Sequence, residues 1–517
     1  MKKSLILILS FLVTSCDVAN LINSTETKKT INSTPAETSQ NTEKIIAHSG
    51  EGFETTELSK AILQIERIEN DFSHQNTFDL LAAPKLNINT ELYENQQWYQ
   101  GNYNMAKYGG YHDLYNHFEG YLPTGKNLTI LQAEKGSTPD VDYVESVKHL
   151  VNFRASESDS HAENVTEILS SLATYPGLFT QYETYSPNLD RFHTIDTADL
   201  RTFIGSTMSE GTPYFVNDYQ GNPITPAQLL NVSNTNGGSS IMLVNQMDRF
   251  INLNNLVACT AMSSLESGNW TTSGTQYNSL VVDYPWGSTE GYEKFNGSKV
   301  NSHGVRQKPD LTAFSQFTAS SYSTPTVCSG AALLLERVYK DDFLTNAKNS
   351  IVIKSIIMAG ATRFNYKYNT EWDKEGVSQA AVYALREESG APIAAWQRVS
   401  DENPLSQVFG AGVFNIYTAY LILDTGEWQD NQLVGERGWS YKDDIEENKS
   451  IKYYFRFNQD VQFSSLLAWH REITQTFDSI LPDYKITLNK THSDGDLELI
   501  SVSDSTTNNI ELIDVMV

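Results

Sequence analysis

The chain has 517 residues, and its 37 basic and 63 acidic side chains leave a formal charge of −26. A pI near 4.7 argues against nucleic acid as a partner, and the length leaves room for more than one well-packed domain. Three cysteines cannot build a disulfide framework; Cys259 and Cys328, set among small and apolar neighbours, read as inert core thiols.

The chain begins "MKKSLILILSFLVTSC": two lysines, a short apolar run, then small residues before Cys16. The run is too short to span a bilayer comfortably, which favours a signal peptide over a membrane helix. "VTSC" resembles a bacterial lipobox, implying cleavage before Cys16, lipidation of that cysteine and a stable membrane anchor. An ordinary signal peptide with an incidental cysteine is the alternative. Residues 1–15 are thus read as a lipoprotein signal peptide. Residues 16–54, rich in Thr, Ser, Asn, Glu and Lys, bury too little to offset chain entropy and read as a disordered tether. Residues 55–120 form an N-terminal helical and irregular extension, in the position of a propeptide.

From "GKNLTILQAEKG" onward the pattern alternates. That segment predicts a buried strand running into a tight turn. "RASESDSHAENVTEILSSLA" predicts a helix with Val165, Ile168, Leu169 and Leu172 on one face and His161 at its N-terminal edge. "AQLLNVSNTNGGSS" predicts a strand into a Gly loop, "IMLVNQMDRFINL" a helix, and "NLVACTAMSS" and "YNSLVVDYP" two further strands. Strands alternating with helices imply a parallel sheet covered on both faces, with the chemistry at the carboxyl ends of the strands.

"QKPDLTAFSQFTASSYSTPTVCSGAALLLERVYK" places Ser320, Ser321 and Ser323 at the mouth of an apolar helix, whose buried stripe is Val327, Ala331, Leu334, Leu335 and Val338. Pro325 is expected near the helix start, where its missing N–H costs nothing. A serine just ahead of that start lies at the positive end of the helix dipole, beside backbone N–H groups able to receive an oxyanion. Serine is a poor nucleophile at neutral pH, so it needs a histidine base and a carboxylate to orient that base.

"ASSYSTPTVCSG" resembles the nucleophile signature of the subtilisin-like serine proteases (subtilases), Gly-Thr-Ser-x-(Ala/Ser)-x-Pro-x-Val, with Ser321, Ser323, Pro325 and Val327 on it. "QKPDLTAFS" is similar to the family's "KPD(L/V)xAPG" segment, and "FGAGVFNIYTAYLIL" to its closing Gly-x-Gly-x-x-Asn helix. The resemblance runs in order from about Gly125 to Leu423. It implies α/β architecture: a subtilisin-like doubly wound, mostly parallel sheet with helices on both faces, over residues 121–425. It implies Ser321 as nucleophile and His161, aligned with the family's "HGTHVAG" histidine, as base. Glu134 stands at the family's aspartate position, one methylene longer, with Asp140 and Asp142 in the next loop as alternatives. Ser233, Gly237 and Gly238, in "SNTNGG", resemble the strand end that lines the substrate cleft. The family's oxyanion asparagine has no clear counterpart: Ser263 or Ser264, or Asn269, stands near its place. Ser329 sits where the family usually has Gly.

The implied reaction is acyl transfer on a peptide or protein substrate, requiring no cofactor. Structural Ca²⁺ is common in the family, and its ligands are unassigned here. A binding or scaffold lipoprotein that has lost catalysis is the alternative reading. Residues 426–517 alternate polar and apolar positions between turn signals and predict an antiparallel β-sandwich. Within it Trp469 and His470 read as core before they read as a binding site. The expected location is the surface of a bacterial membrane, on the periplasmic or outer side.

Overall fold

The computed structural model describes mainly residues 109–118, 128–134, 149–152, 160–174, 191–196, 226–233, 241–262, 276–284, 307–315, 319–363, 400–443 and 449–517, with short gaps, together with 10–12. Seven strands form one sheet: β2 (Thr129–Glu134), β3 (His149–Asn152), β4 (Arg191–Asp196), β5 (Leu229–Val232), β6 (Val257–Ala261), β7 (Leu280–Asp283) and β8 (Leu311–Thr312). They lie in the order β3-β4-β2-β5-β6-β7-β8, and every neighbouring pair is parallel. β1 is the short stretch Ser10–Leu12. Each strand expected between Gly125 and Pro285 is present.

Alternation along the strands explains why two layers of helices form. Ile130, Leu229, Val257 and Cys259 face one side, where they join the core of α2 (Ser160–Thr174) and α4 (Ser320–Tyr339). Leu131, Ala133, Leu230, Val232 and Ala258 face the other, against Met247, Phe250 and Ile251 of α3 (Ile241–Leu253). The sheet is therefore doubly wound, buried on both faces as a parallel sheet must be. Val165, Ile168 and Leu169 of α2 are buried as expected; the side chain of Leu172 lies outside the described residues. Cys259 and Cys328 are free, buried thiols, and burial pushes the Cys328 thiol upward.

α4 begins earlier than its sequence suggests. Ala319 is its N-cap, so Ser320, Ser321 and Ser323 sit within the first turn rather than ahead of it, and Pro325 is inside the helix. A proline there cannot donate to the carbonyl of Ser321, one turn back. The Thr324 hydroxyl instead donates to the neighbouring Ser320 carbonyl at 2.7 Å. Ser329 is buried, and the close approach falls at the next residue: a Cβ on Gly330 would come within 2.4 Å of Phe414 Cζ. That approach seats α1 (Tyr111–His117), whose Tyr111 hydroxyl donates to the Thr326 carbonyl at 2.7 Å. α5 (Ser350–Ala359) and α6 (Ile416–Asp424) complete this layer, and Asn415 caps α6 by accepting from Thr418 N–H at 3.1 Å. No helix among the described residues is long and apolar enough to cross a membrane.

The expected antiparallel strands follow, in small sheets. β10 (Gln462–Ala468) pairs along its whole length with β15 (Ile510–Met516), and on its other edge with β1, which in turn pairs with β9 (Arg437–Gly438). β11 (Glu472–Ile473) pairs with β12 (Ser479–Ile480), and β13 (Ile486–Thr491) with β14 (Leu497–Ser503). β10 is apolar on both faces. Leu466 and Ala468 join the core of α4 and α5, while Phe463, Leu467 and Trp469 form a separate core with Ile486 and Ile513. Trp469 is a core residue, and His470 beside it is partly buried. Burial, aided by the nearby Lys354 ammonium, pushes the imidazole of His470 down to about 3.

Glu511 of β15 is a buried carboxyl, accepting from the Ser503 hydroxyl and from Ser505 N–H at 2.6 Å. Burial pushes it up to about 8, against the pull of those two hydrogen bonds. Its folded value lies above its ordinary one, so its contribution to stability is complete below about pH 4.5 and is lost as pH rises towards 8. Each unit of difference corresponds to about 1.4 kcal/mol. Glu511→Gln is expected to flatten the fall in unfolding free energy between about pH 5 and 8. Urea unfolding across that range checks this; equal slopes for both proteins would contradict it.

Candidate active site

The carboxyl ends of β2 and β5 and the first turns of α2 and α4 meet at one edge of the sheet. Glu134 is the last residue of β2, and its side chain is 0% exposed. His161 is the second residue of α2, 27% exposed, and its Nδ1 lies 3.0 Å from Glu134 Oε2. A carboxylate at Nδ1 makes that nitrogen the N–H donor and leaves Nε2 as the acceptor. The other carboxylate oxygen, Oε1, accepts from the backbone N–H of Ser233 at 3.1 Å, immediately past β5. The extra methylene of glutamate thus still delivers its carboxylate to the imidazole.

Of the three hydroxyls in the first turn of α4, two are tied to strand ends. Ser320 donates to the Met262 carbonyl after β6, and Ser323 to the Ala313 carbonyl after β8, both at 2.6 Å. These bonds fix the turn against the sheet. The Ser321 hydroxyl makes no hydrogen bond among the described residues. What joins its turn to the histidine is the next residue: the Tyr322 ring lies 5.1 Å from the His161 ring, tilted by 46°. α2 and α4 also pack along their length.

Four sequence-derived site residues thus gather at this edge: Glu134, His161 and Ser233 by direct hydrogen bonds, and Ser321 through its neighbour. Gly237, Gly238, Ser263, Ser264, Asn269, Asp140, Asp142 and Cys16 lie outside the described residues. Three participants escaped the sequence reading. Tyr322 is one; Gln132 and Asn231, two residues before Glu134 and Ser233, are the others, both buried. The signal was present: an amide at an inward position of a strand otherwise apolar. Asp283, at the carboxyl end of β7, is a further carboxyl of this region; burial pushes it up to about 6, against a hydrogen bond from Tyr284 N–H. Among the described residues, no group of three or more His, Cys, Asp or Glu stands close enough to hold a metal ion.

No family model and no curated protein matches this chain. Among solved structures it is similar to the Patellamide maturation protease PatA, at 15% identity over 58% of this chain and 98% of that one, with a TM-score of 0.33. It is also similar to the Prenylagaramide maturation protease PagA, at 15% identity over 60% of this chain and 97% of that one, TM-score 0.34. The self-cleaved protease domain of PatA is a third, at 13% identity over 59% and 100%, TM-score 0.32. The fold and the site stand on the geometry above rather than on these likenesses.

Proposed function

We propose that the chain is a subtilisin-like serine endopeptidase, with Glu134, His161 and Ser321 as its triad. The observation that carries this reading is the 3.0 Å contact between buried Glu134 and partly exposed His161 at the carboxyl edge of a parallel sheet, beside the helix turn that bears Ser321. Glu134 orients the imidazole and stabilises the imidazolium that forms. His161 Nε2 takes the proton of Ser321 Oγ as that oxygen attacks the peptide carbonyl carbon. The tetrahedral oxyanion collapses, the C–N bond breaks, and His161 gives its proton to the leaving amine. Water, deprotonated by the same base, then releases the acyl group from Ser321. The first turn of α4 supplies its dipole, and its N–H groups are oxyanion donors of the right kind, joined in the proposal by Ser263 or Asn269. In this proposal Ser233, Gly237 and Gly238 are the residues assigned to the cleft for a peptide or protein substrate. The lipobox-like run before Cys16 supports attachment to a bacterial membrane surface through a lipidated cysteine, and the cleavage this implies removes β1 from its place between β10 and β9.

A fluorophosphonate probe tests the chemistry. Labelling of the purified protein is expected to vanish in Ser321→Ala and in His161→Ala while both remain folded. Absence of labelling in the unmodified, folded protein would favour a binding or scaffold lipoprotein instead. Metabolic labelling with a fatty-acid analogue, lost in Cys16→Ala, tests the anchor separately.

A further inference from the structure

Beneath the Glu134–His161 pair lie two amides that the reaction itself does not touch. Gln132 and Asn231 are fully buried and stand opposite one another in the β2–β5 register. Alternation along the strands puts both on the face that carries α2 and α4. A buried amide costs free energy unless its groups are hydrogen-bonded, and the bonds of these two lead directly to the pair above. Gln132 Nε2 donates to the carbonyl of Ala162, the residue after His161, at 3.0 Å. Gln132 Oε1 accepts from the Thr166 hydroxyl at 2.9 Å, and that hydroxyl also lies 2.8 Å from the same Ala162 carbonyl. One side chain therefore grips both ends of the turn from Ala162 to Thr166 of α2, directly after His161. Asn231 Nδ2 donates to Ser233 Oγ at 2.9 Å, and Ser233 N–H donates to Glu134 Oε1 at 3.1 Å.

We infer that Gln132 and Asn231 are positioning residues, a buried amide pair that sets the Glu134–His161 contact through Ala162 on one side and Ser233 on the other. The inference rests on the proposed roles of that pair as acid and base. Its energetic sense is orientational: a displacement of about 1 Å at a reacting group costs on the order of 10²-fold in rate. Second-layer hydrogen bonds of this kind hold such groups to tolerance.

The test uses the full-length protein with Gln132→Met, Asn231→Leu and the two combined, changes that keep side-chain size and remove the amide. Fluorophosphonate inactivation is resolved into its maximal rate and its half-saturating probe concentration. The maximal rate is expected to fall about tenfold or more in Gln132→Met, with the half-saturating concentration unchanged. The midpoint of the pH–rate profile should move to lower pH, because a loosened carboxylate supports the imidazolium less. A second readout is independent of Ser321. The His161 Nδ1 proton, held in its bond to Glu134, is expected to give a low-field proton resonance that is lost in His161→Ala. In Gln132→Met that resonance should broaden through exchange with water. Unchanged rate, midpoint and resonance in folded variants would overturn the inference. Should Gln132→Met fail to fold, Thr166→Val removes the hydroxyl that Gln132 Oε1 accepts from, and the same outcomes apply. Should the unmodified protein not label at all, the proposed function fails, and the resonance alone still decides for or against the amide pair.

Discussion

Glu134→Gln is expected to lower fluorophosphonate labelling of Ser321 by about 10³–10⁴-fold at neutral pH. The amide keeps the size of the side chain and removes the charge that stabilises the imidazolium. It also turns a pure acceptor into a group that can present N–H to His161 Nδ1, which selects the wrong tautomer. Glu134→Asp separates reach from charge. It keeps the carboxylate and withdraws it by one methylene from a contact that is now 3.0 Å, and a misplacement of that order costs about 10²-fold. The order of rates expected is therefore unmodified, then aspartate, then glutamine. An aspartate variant as fast as the unmodified protein would mean that side-chain length does not set the geometry. A glutamine variant as fast would remove Glu134 from the triad and return attention to Asp140 and Asp142.

Arg471→Met is the largest stability change expected. Asp248 of α3 is fully buried and accepts from Arg471 Nε at 3.0 Å and Nη2 at 2.5 Å, and from the backbone N–H groups of Tyr277 and Asn278 at 3.0 and 2.9 Å. The guanidinium lies 4.2 Å over the Tyr277 ring, and Asn278 ties the two backbones by donating to both the Asp248 and Arg471 carbonyls at 2.9 Å. Removing the cation leaves an uncompensated buried carboxylate, a loss of about 3–5 kcal/mol. The double change Asp248→Leu with Arg471→Met should recover only part of it. The charge is gone, but the N–H groups of Tyr277 and Asn278 lose their acceptor. Urea unfolding followed by tryptophan fluorescence reads both; a loss below about 1 kcal/mol for Arg471→Met would show that the pair does not hold the two regions together.

The parallel-sheet layer was largely legible because its signals are local. A buried parallel strand writes itself as a short apolar run, and α2 as a 3.6-residue stripe with a histidine at its edge. The start of α4 was misread for a local reason as well: proline favours a first turn, yet here it sits inside the helix, with the Thr324 hydroxyl reaching back to the preceding turn. The Asp248–Arg471 pair had no such signal, since its members stand 223 positions apart and each alone looks like an ordinary surface charge. Gln132 and Asn231 fall between these cases. Each breaks the apolar pattern of its strand, and that break was visible, but its meaning depended on which helix turn lay above it.

The sharing of core between α4, α5 and the last strands also constrains when the molecule becomes itself. Synthesis runs from the N-terminus, so α3 with Asp248 is made long before Arg471, and before Leu512, which packs in the core of α4. A chain built this way gathers local structure early but closes the core of α4 only after β10 and β15 have been made. A chain broken off before β15 therefore lacks part of the core that holds α4, the helix that carries Ser321.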